Sequence, residues 1–155
     1  MKPVLFLIAT FFFLTIAFSC DSLRSKEVGR IQLNKISDQK QPDWKSTSLN
    51  LNKGDKLWFW TDINLEYQGD LTLEYQIQLI KNSDTLGYLQ LHPFDKKITI
   101  GEFKTTLFGK TKWSFSGSMD FLQIKETGKY TFRTIIVSNP NETLKLNKAD
   151  LVFKK

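Results

Sequence analysis

Two runs of alternating apolar residues constrain this chain more than any other feature. Leu57, Phe59, Ile63 and Leu65 share one parity, and Leu71, Leu73, Tyr75, Ile77 and Leu79 share another. Successive side chains of a β-strand point to opposite faces, so each set lines one face of one strand. Polar turn signals bracket both runs: Asn52-Lys53-Gly54-Asp55, Tyr67-Gln68-Gly69-Asp70 and Lys81-Asn82-Ser83-Asp84. Each offers Gly, Asn or Asp for the backbone conformations of tight turns. Further strands are predicted at Thr47 to Leu51, Thr85 to Leu91, Ile98 to Ile100, Lys112 to Ser116, Lys129 to Val137 and Leu144 to Phe153. No stretch of this region sustains the 3.6-residue period of an amphipathic helix, and no fixed-period repeat is present. A chain of 155 residues has room for one domain. Short strands with turns every 8 to 12 residues or so predict an all-β fold, an antiparallel, jelly-roll-like β-sandwich of about eight strands or a partly closed barrel.

The first twenty residues are of a different kind. Lys2 gives a positive start, Val4 to Phe18 carries no charge, and Ser19-Cys20 follows. The run is short of the roughly 20 apolar residues that cross a bilayer, and it has the pattern of a secretory signal peptide, expected as a helix over 1–19. Ala17-Phe18-Ser19-Cys20 resembles the lipobox of bacterial lipoproteins. The resemblance implies diacylglyceryl transfer to the Cys20 sulfur, cleavage after Ser19 and membrane anchoring through acyl chains such as palmitate. The alternative is a cut nearby that leaves an incidental thiol. Cys20 is the only cysteine, so no internal disulfide is available and the fold depends on its core. Residues 20–45, polar and broken by Pro42, are expected as a lipid-anchored N-terminus and tether, within which Val28, Ile31 and Leu33 offer a brief strand. The sandwich is expected over 46–155. The expected location is the cell envelope, with lipid anchoring to a bacterial membrane, the outer membrane first.

The formal charge of +6 falls to +5 without Lys2, the one charged residue before Cys20. Lysines are interleaved with acids and form no block. This is a solvated surface with some attraction to anionic lipid or polysaccharide, and it lacks the concentrated basic footprint of a nucleic-acid binder.

The segment Phe121 to Phe132 resembles a turn-to-strand element of jelly-roll and related extracellular sandwiches, which implies that Tyr130 and Phe132 point into the core. Trp113 to Gly117 and Gly128 to Phe132 are also similar to the late Trp-x-x-x-Gly and Gly-x-Tyr-x-Phe arrangement of lipoproteins associated with gliding motility and surface secretion in Bacteroidota. That similarity implies a subunit of an envelope machine.

Catalytic patterns are sparse. His92, the only histidine, precedes Pro93 and is expected in a loop without a special role. There is no nucleophile elbow, phosphate-binding glycine loop or calcium loop. Glu66, Asp70 and Glu74 surround one predicted turn, but nothing marks the sugar-sized cleft that paired-carboxylate chemistry needs. No enzyme activity, cofactor or metal site is expected.

The most informative strand is Leu57 to Leu65. With its odd positions in the core, Trp58, Trp60, Asp62 and Asn64 line the opposite face, a surface suited to stacking on a sugar or gripping a protein. A hairpin pairing Leu65 with Leu71 would set Trp60 opposite Gln76, Trp58 opposite Gln78 and Asp62 opposite Glu74. Two facing acids repel unless a cation lies between them, which favours a slip by two residues. Burial of both indoles under a second layer is the other open reading. Trp113 alternates with Phe115 and is expected in the core, Trp44 is expected to plug the sandwich end, and Phe94 to Lys112 reads as two irregular edge strands or a long surface loop.

The function expected first is a lipid-anchored envelope protein with a non-enzymatic binding or accessory role. A glycan-binding module presenting Trp58, Trp60, Asp62, Asn64 and Gln76 is the alternative, and a hydrolase comes last.

Overall fold

The computed structural model describes residues 25–38 and 40–155, and residues 1–19, expected as a signal peptide, and Cys20 lie outside them. Among the described residues there are nine strands: β1 (Glu27–Gln32), β2 (Lys45–Leu51), β3 (Lys56–Gln68), β4 (Leu73–Lys81), β5 (Asp84–Leu91), β6 (Ile98–Leu107), β7 (Lys110–Gln123), β8 (Gly128–Ser138) and β9 (Lys145–Lys154). They form an antiparallel β-sandwich of a five-stranded sheet, ordered β1-β9-β3-β7-β6, and a four-stranded sheet, ordered β2-β8-β4-β5.

The tether expected over 20–45 is corrected here. β1 pairs with β9, Ile31 opposite Leu151, and Ile31 and Leu33 are buried in the core. The sandwich therefore begins at Glu27. The brief strand expected at Val28, Ile31 and Leu33 is β1 as far as Gln32, and the correction concerns the tether, because so short a strand gains its place in the sandwich from the partner that pairs with it.

The hairpin between β3 and β4 is also corrected, because the two strands lie in different sheets. Their apolar stripes face each other across the core: Thr61 Oγ1 and the Tyr75 hydroxyl are 2.7 Å apart. Backbone groups of the connection are met by side chains and not by a hairpin ladder. Asn141 Nδ2 donates to the carbonyls of Gln68 and Asp70, Asn139 Nδ2 donates to Asp70 O, and Thr72 N–H donates to Asn139 Oδ1.

Phe59, Phe132 and Phe153 meet at the centre with ring centroids 4.7 to 6.1 Å apart, and each such ring contributes about 1.5–3 kcal/mol by burial. Tyr130 and Phe132 point inward. Trp113 packs against the core only partly and stacks on Phe94 at 4.7 Å. Trp44 does not plug the end of the sandwich; it immediately precedes β2 and lies beside the Arg133 guanidinium, 5.3 Å from ring centroid to carbon.

Candidate functional site

β3 is the middle strand of the five-stranded sheet, and its side chains divide as period 2 requires. Leu57, Phe59, Thr61, Ile63 and Leu65 are buried inward, while Trp58, Trp60, Asp62 and Asn64 occupy the outer face. That face does not present two free indoles. Trp60 is 1% exposed: it lies between Val152 of β9 and Ser118 of β7, with the Lys154 ammonium 3.6 Å from the ring centroid. Its Nε1–H is buried without a hydrogen-bond partner. Trp58 is half-buried and tilted against Phe121, centroids 5.1 Å apart, and Lys56 Nζ lies over both rings at 4.3 and 4.2 Å. Gln76 is on the other sheet, so the structure does not gather the five expected residues into one surface.

Asp62 and Asn64 belong to a polar neighbourhood. Asp62 faces Asp150 of β9, and the Arg30 guanidinium donates to both, at 3.2 and 2.6 Å. Lys148 also pairs with Asp62, and Asn147 Nδ2 donates to Asn64 Oδ1. The cations that facing acids require thus come from β1 and β9, and this patch is saturated by its own ion pairs. Among the described residues no three His, Cys, Asp or Glu side chains are grouped to hold a metal ion.

Two other surfaces are less satisfied. On the four-stranded sheet, Trp44, Gln76, Tyr88 and Gln90 line a cavity of about 430 Å³, and Tyr88 is 72% exposed. The amides beside it are pre-oriented: Gln76 Nε2 donates to Glu74, Gln78 Nε2 donates to Thr85, and Arg133 donates to Gln78. Gln76 thus sits in a polar and aromatic setting of the kind expected for it, with Trp44 and Tyr88 in place of Trp58 and Trp60.

The second surface is the β6–β7 hairpin. β6 is an edge strand, a row of backbone groups open to another chain. Ile100, Phe103, Leu107 and Phe108 are 49, 63, 64 and 94% exposed. Leu107 pairs with Lys110, so the loop has two residues, Phe108 and Gly109, with φ of 50° and 75°. Positive φ at both positions is the signature of a type I′ hairpin turn, where Asn or Gly is usual first. The matching β4–β5 loop follows that rule with Asn82 at 49° and Ser83 at 80°. Phe108 breaks it and projects a ring into solvent. Beside it, Gln68, Thr105, Leu107, Lys110 and Lys112 help line a hollow of about 380 Å³. Sequence reasoning placed Phe94 to Lys112 in irregular edge strands or a surface loop but did not find the turn, because a Phe at that position gives no turn signal.

The fold is a small two-sheet antiparallel sandwich with a hollow on one sheet face and an exposed apolar hairpin at one sheet edge. No family model, curated protein or solved structure matches the chain.

Proposed function

We propose that this protein is a lipid-anchored envelope adaptor with a non-enzymatic binding role. In this reading Cys20 carries the acyl chains, the sandwich acts as a spacer, and the β6–β7 hairpin engages an envelope protein as part of a secretion or motility machine. The observation that carries it is the 94% exposed Phe108 ring in a backbone conformation that disfavours it. The hairpin is also far from the chain's entry point. Glu27 pairs with Lys154, which pairs with Trp58, while Lys110 pairs with Gln68. The two points are thus separated by most of the 13-residue β3, about 33 Å from Trp58 to Gln68 at ~3.3 Å per residue. An anchor at one end and an apolar, open-edged tip at the other is the layout of a docking module.

The test is site-specific photo-crosslinking in cells with the probe at Phe103 or Phe108, compared with a probe at Ser48 on the opposite sheet. A discrete adduct from the tip positions alone is expected. Equal labelling from all three, or none from the tip, would overturn the reading.

The cavity between Trp44 and Tyr88 favours a second reading, glycan binding on the four-stranded sheet. Its volume suits one or two sugar rings, and aromatic rings beside amides are the chemistry that stacks and orients them. Protection of tryptophan fluorescence from acrylamide by envelope oligosaccharides, lost in Tyr88→Ala, is the expected result; no protection by any of them would remove this reading.

A further inference from the structure

The end of the sandwich where the chain enters has its own chemistry. Lys26 and Lys155 exchange backbone hydrogen bonds there at 2.9 Å. The Asn52–Asp55 turn is tied to the β7–β8 connection through Gly54 N to Ile124 O, Ile124 N to Asp55 O, and Lys53 N to Thr127 Oγ1. This gathers Lys26, Lys53, Lys56, Lys125 and Lys154 at one end. None of the five has a carboxylate within 4 Å among the described residues, whereas the acids nearby are already engaged: Glu27 by Arg30, Asp55 by Lys155, Asp120 by Lys97 and Glu126 by Lys81. At the far end, by contrast, Lys110 and Lys112 share Glu66.

Aromatic side chains accompany these charges. Phe121 and Val28 are each 41% exposed, and Trp58 leans on Phe121 beneath the Lys56 ammonium. An indole and a phenyl ring flanked by lysines is the composition of a membrane–water interface, where the amphipathic ring lies at headgroup level and ammonium groups reach the phosphates. Only residues 21–24 lie between Cys20 and Ser25. Five Cα steps span at most about 17–18 Å, so lipid on Cys20 would hold this end, and no other, against the bilayer.

We propose that this basic, aromatic end is a membrane seat that docks onto an anionic phospholipid leaflet, with the acyl chains and the five lysines acting as two cooperating signals. The inference rests on the reading of Cys20 as lipid-modified. The acyl chains anchor the protein by themselves, and the basic end adds attraction to anionic headgroups that fixes which end of the sandwich meets the leaflet. Seated this way, the protein holds the Phe108 tip away from the membrane.

The test uses the chain from Asp21 onward, which keeps all nine strands and the whole core, with vesicles of phosphatidylcholine alone or with phosphatidylglycerol. Sedimentation is expected only with the anionic vesicles, falling with salt. Each of Lys53→Gln, Lys56→Gln and Lys125→Gln should weaken it about five-fold, from roughly 1 kcal/mol per interfacial lysine, and the triple variant about a hundred-fold. Lys104→Gln and Lys145→Gln, away from this end, should leave it unchanged. Trp58 emission should shift to the blue on binding, and Trp58→Phe should lose that shift. Absence of anionic selectivity, or equal loss from the distal variants, would overturn the seat. Palmitate labelling of the full chain, compared with Cys20→Ala, is read separately. Labelled protein whose soluble domain ignores anionic vesicles refutes the seat alone, and a domain that binds them while the full chain takes no label refutes the anchor alone.

Discussion

Asp62 of β3 and Asp150 of β9 sit directly opposite each other in the five-stranded sheet, and Arg30 Nη1 from the edge strand β1 donates to one oxygen of each. Like charges facing each other across a ladder repel, and the Asp150 side chain is only 3% exposed. Arg30 is therefore what allows β9 to lie beside β3 in this register. Arg30→Ala should destabilise the fold by about 2–3 kcal/mol, below the 3–5 typical of a broken buried pair because Lys148 stays 3.8 Å from Asp150. Adding Asp62→Asn should recover part of the loss, since one of the facing charges is gone. Urea denaturation of the single and double variants measures this; equal stability of Arg30→Ala and wild type would contradict it.

The contact of Thr61 with Tyr75 is a buried polar link between the two sheets. The Tyr75 hydroxyl, fully buried, is also 3.4 Å from the Asp150 carbonyl oxygen. Burial pushes the phenol well above its ordinary range, so it stays neutral. Tyr75→Phe leaves the Thr61 hydroxyl without this partner and should cost about 1–3 kcal/mol. The pair Tyr75→Phe with Thr61→Val should cost less than the sum of the two single changes. Strict additivity would show that the hydroxyls are not coupled.

Which residues face inward was legible in the sequence, and which strands are neighbours was not. Leu57, Phe59, Ile63 and Leu65 announce a buried face by parity alone. Parity says nothing about whether the stripe of Leu73, Tyr75 and Ile77 lies beside it or across from it. The answer depends on Asn139 and Asn141, about seventy residues downstream, which cap the backbone between β3 and β4. Burial of Trp60 was one of two readings that parity left open, and the choice between them rests on Val152 and Lys154, which cover it from the far end of the chain. Cys20, read from a local pattern, lies outside the described residues.

Acid should weaken the fold in a defined window. Arg30 beside Glu27, Lys96 beside Glu102 and Lys97 beside Asp120 hold these carboxyls below their ordinary values of 4.5, 4.5 and 3.8. A carboxyl with a depressed folded-state pKa adds stability that is complete above its unfolded value and is lost as pH falls through the folded one. The melting temperature should be flat from neutral pH down to about pH 5 and decline below about pH 4, less steeply in high salt because these pairs are solvent-screened. A melting temperature that rises on acidification would contradict this.

Lys154 is a cover for Trp60 more than a charge partner. Desolvation lowers its pKa, so the partly covered ammonium carries a small cost that its stem repays by packing on the ring. Lys154→Met keeps the stem and removes the charge, and stability should be unchanged or slightly raised. Lys154→Ala should uncover the indole, cost about 1 kcal/mol and increase acrylamide quenching. Equal quenching in the two variants would show that something other than this side chain protects Trp60.

Phe108 carries a stability cost that the proposed docking role would explain. A bulky residue at φ 50° carries strain of about 1 kcal/mol or more, whereas Asn accepts that conformation readily. Phe108→Asn should therefore raise the melting temperature by a few degrees, roughly 2–5 °C for a domain of this size. If the exposed ring is the docking element, the same change should abolish the crosslinked adduct formed from a probe at Phe103. Asn82→Phe is the reciprocal control: it places the same strain in the β4–β5 turn and should destabilise the fold without touching the adduct. A Phe108→Asn protein that is more stable and still crosslinks normally would leave the strained aromatic without a role in binding.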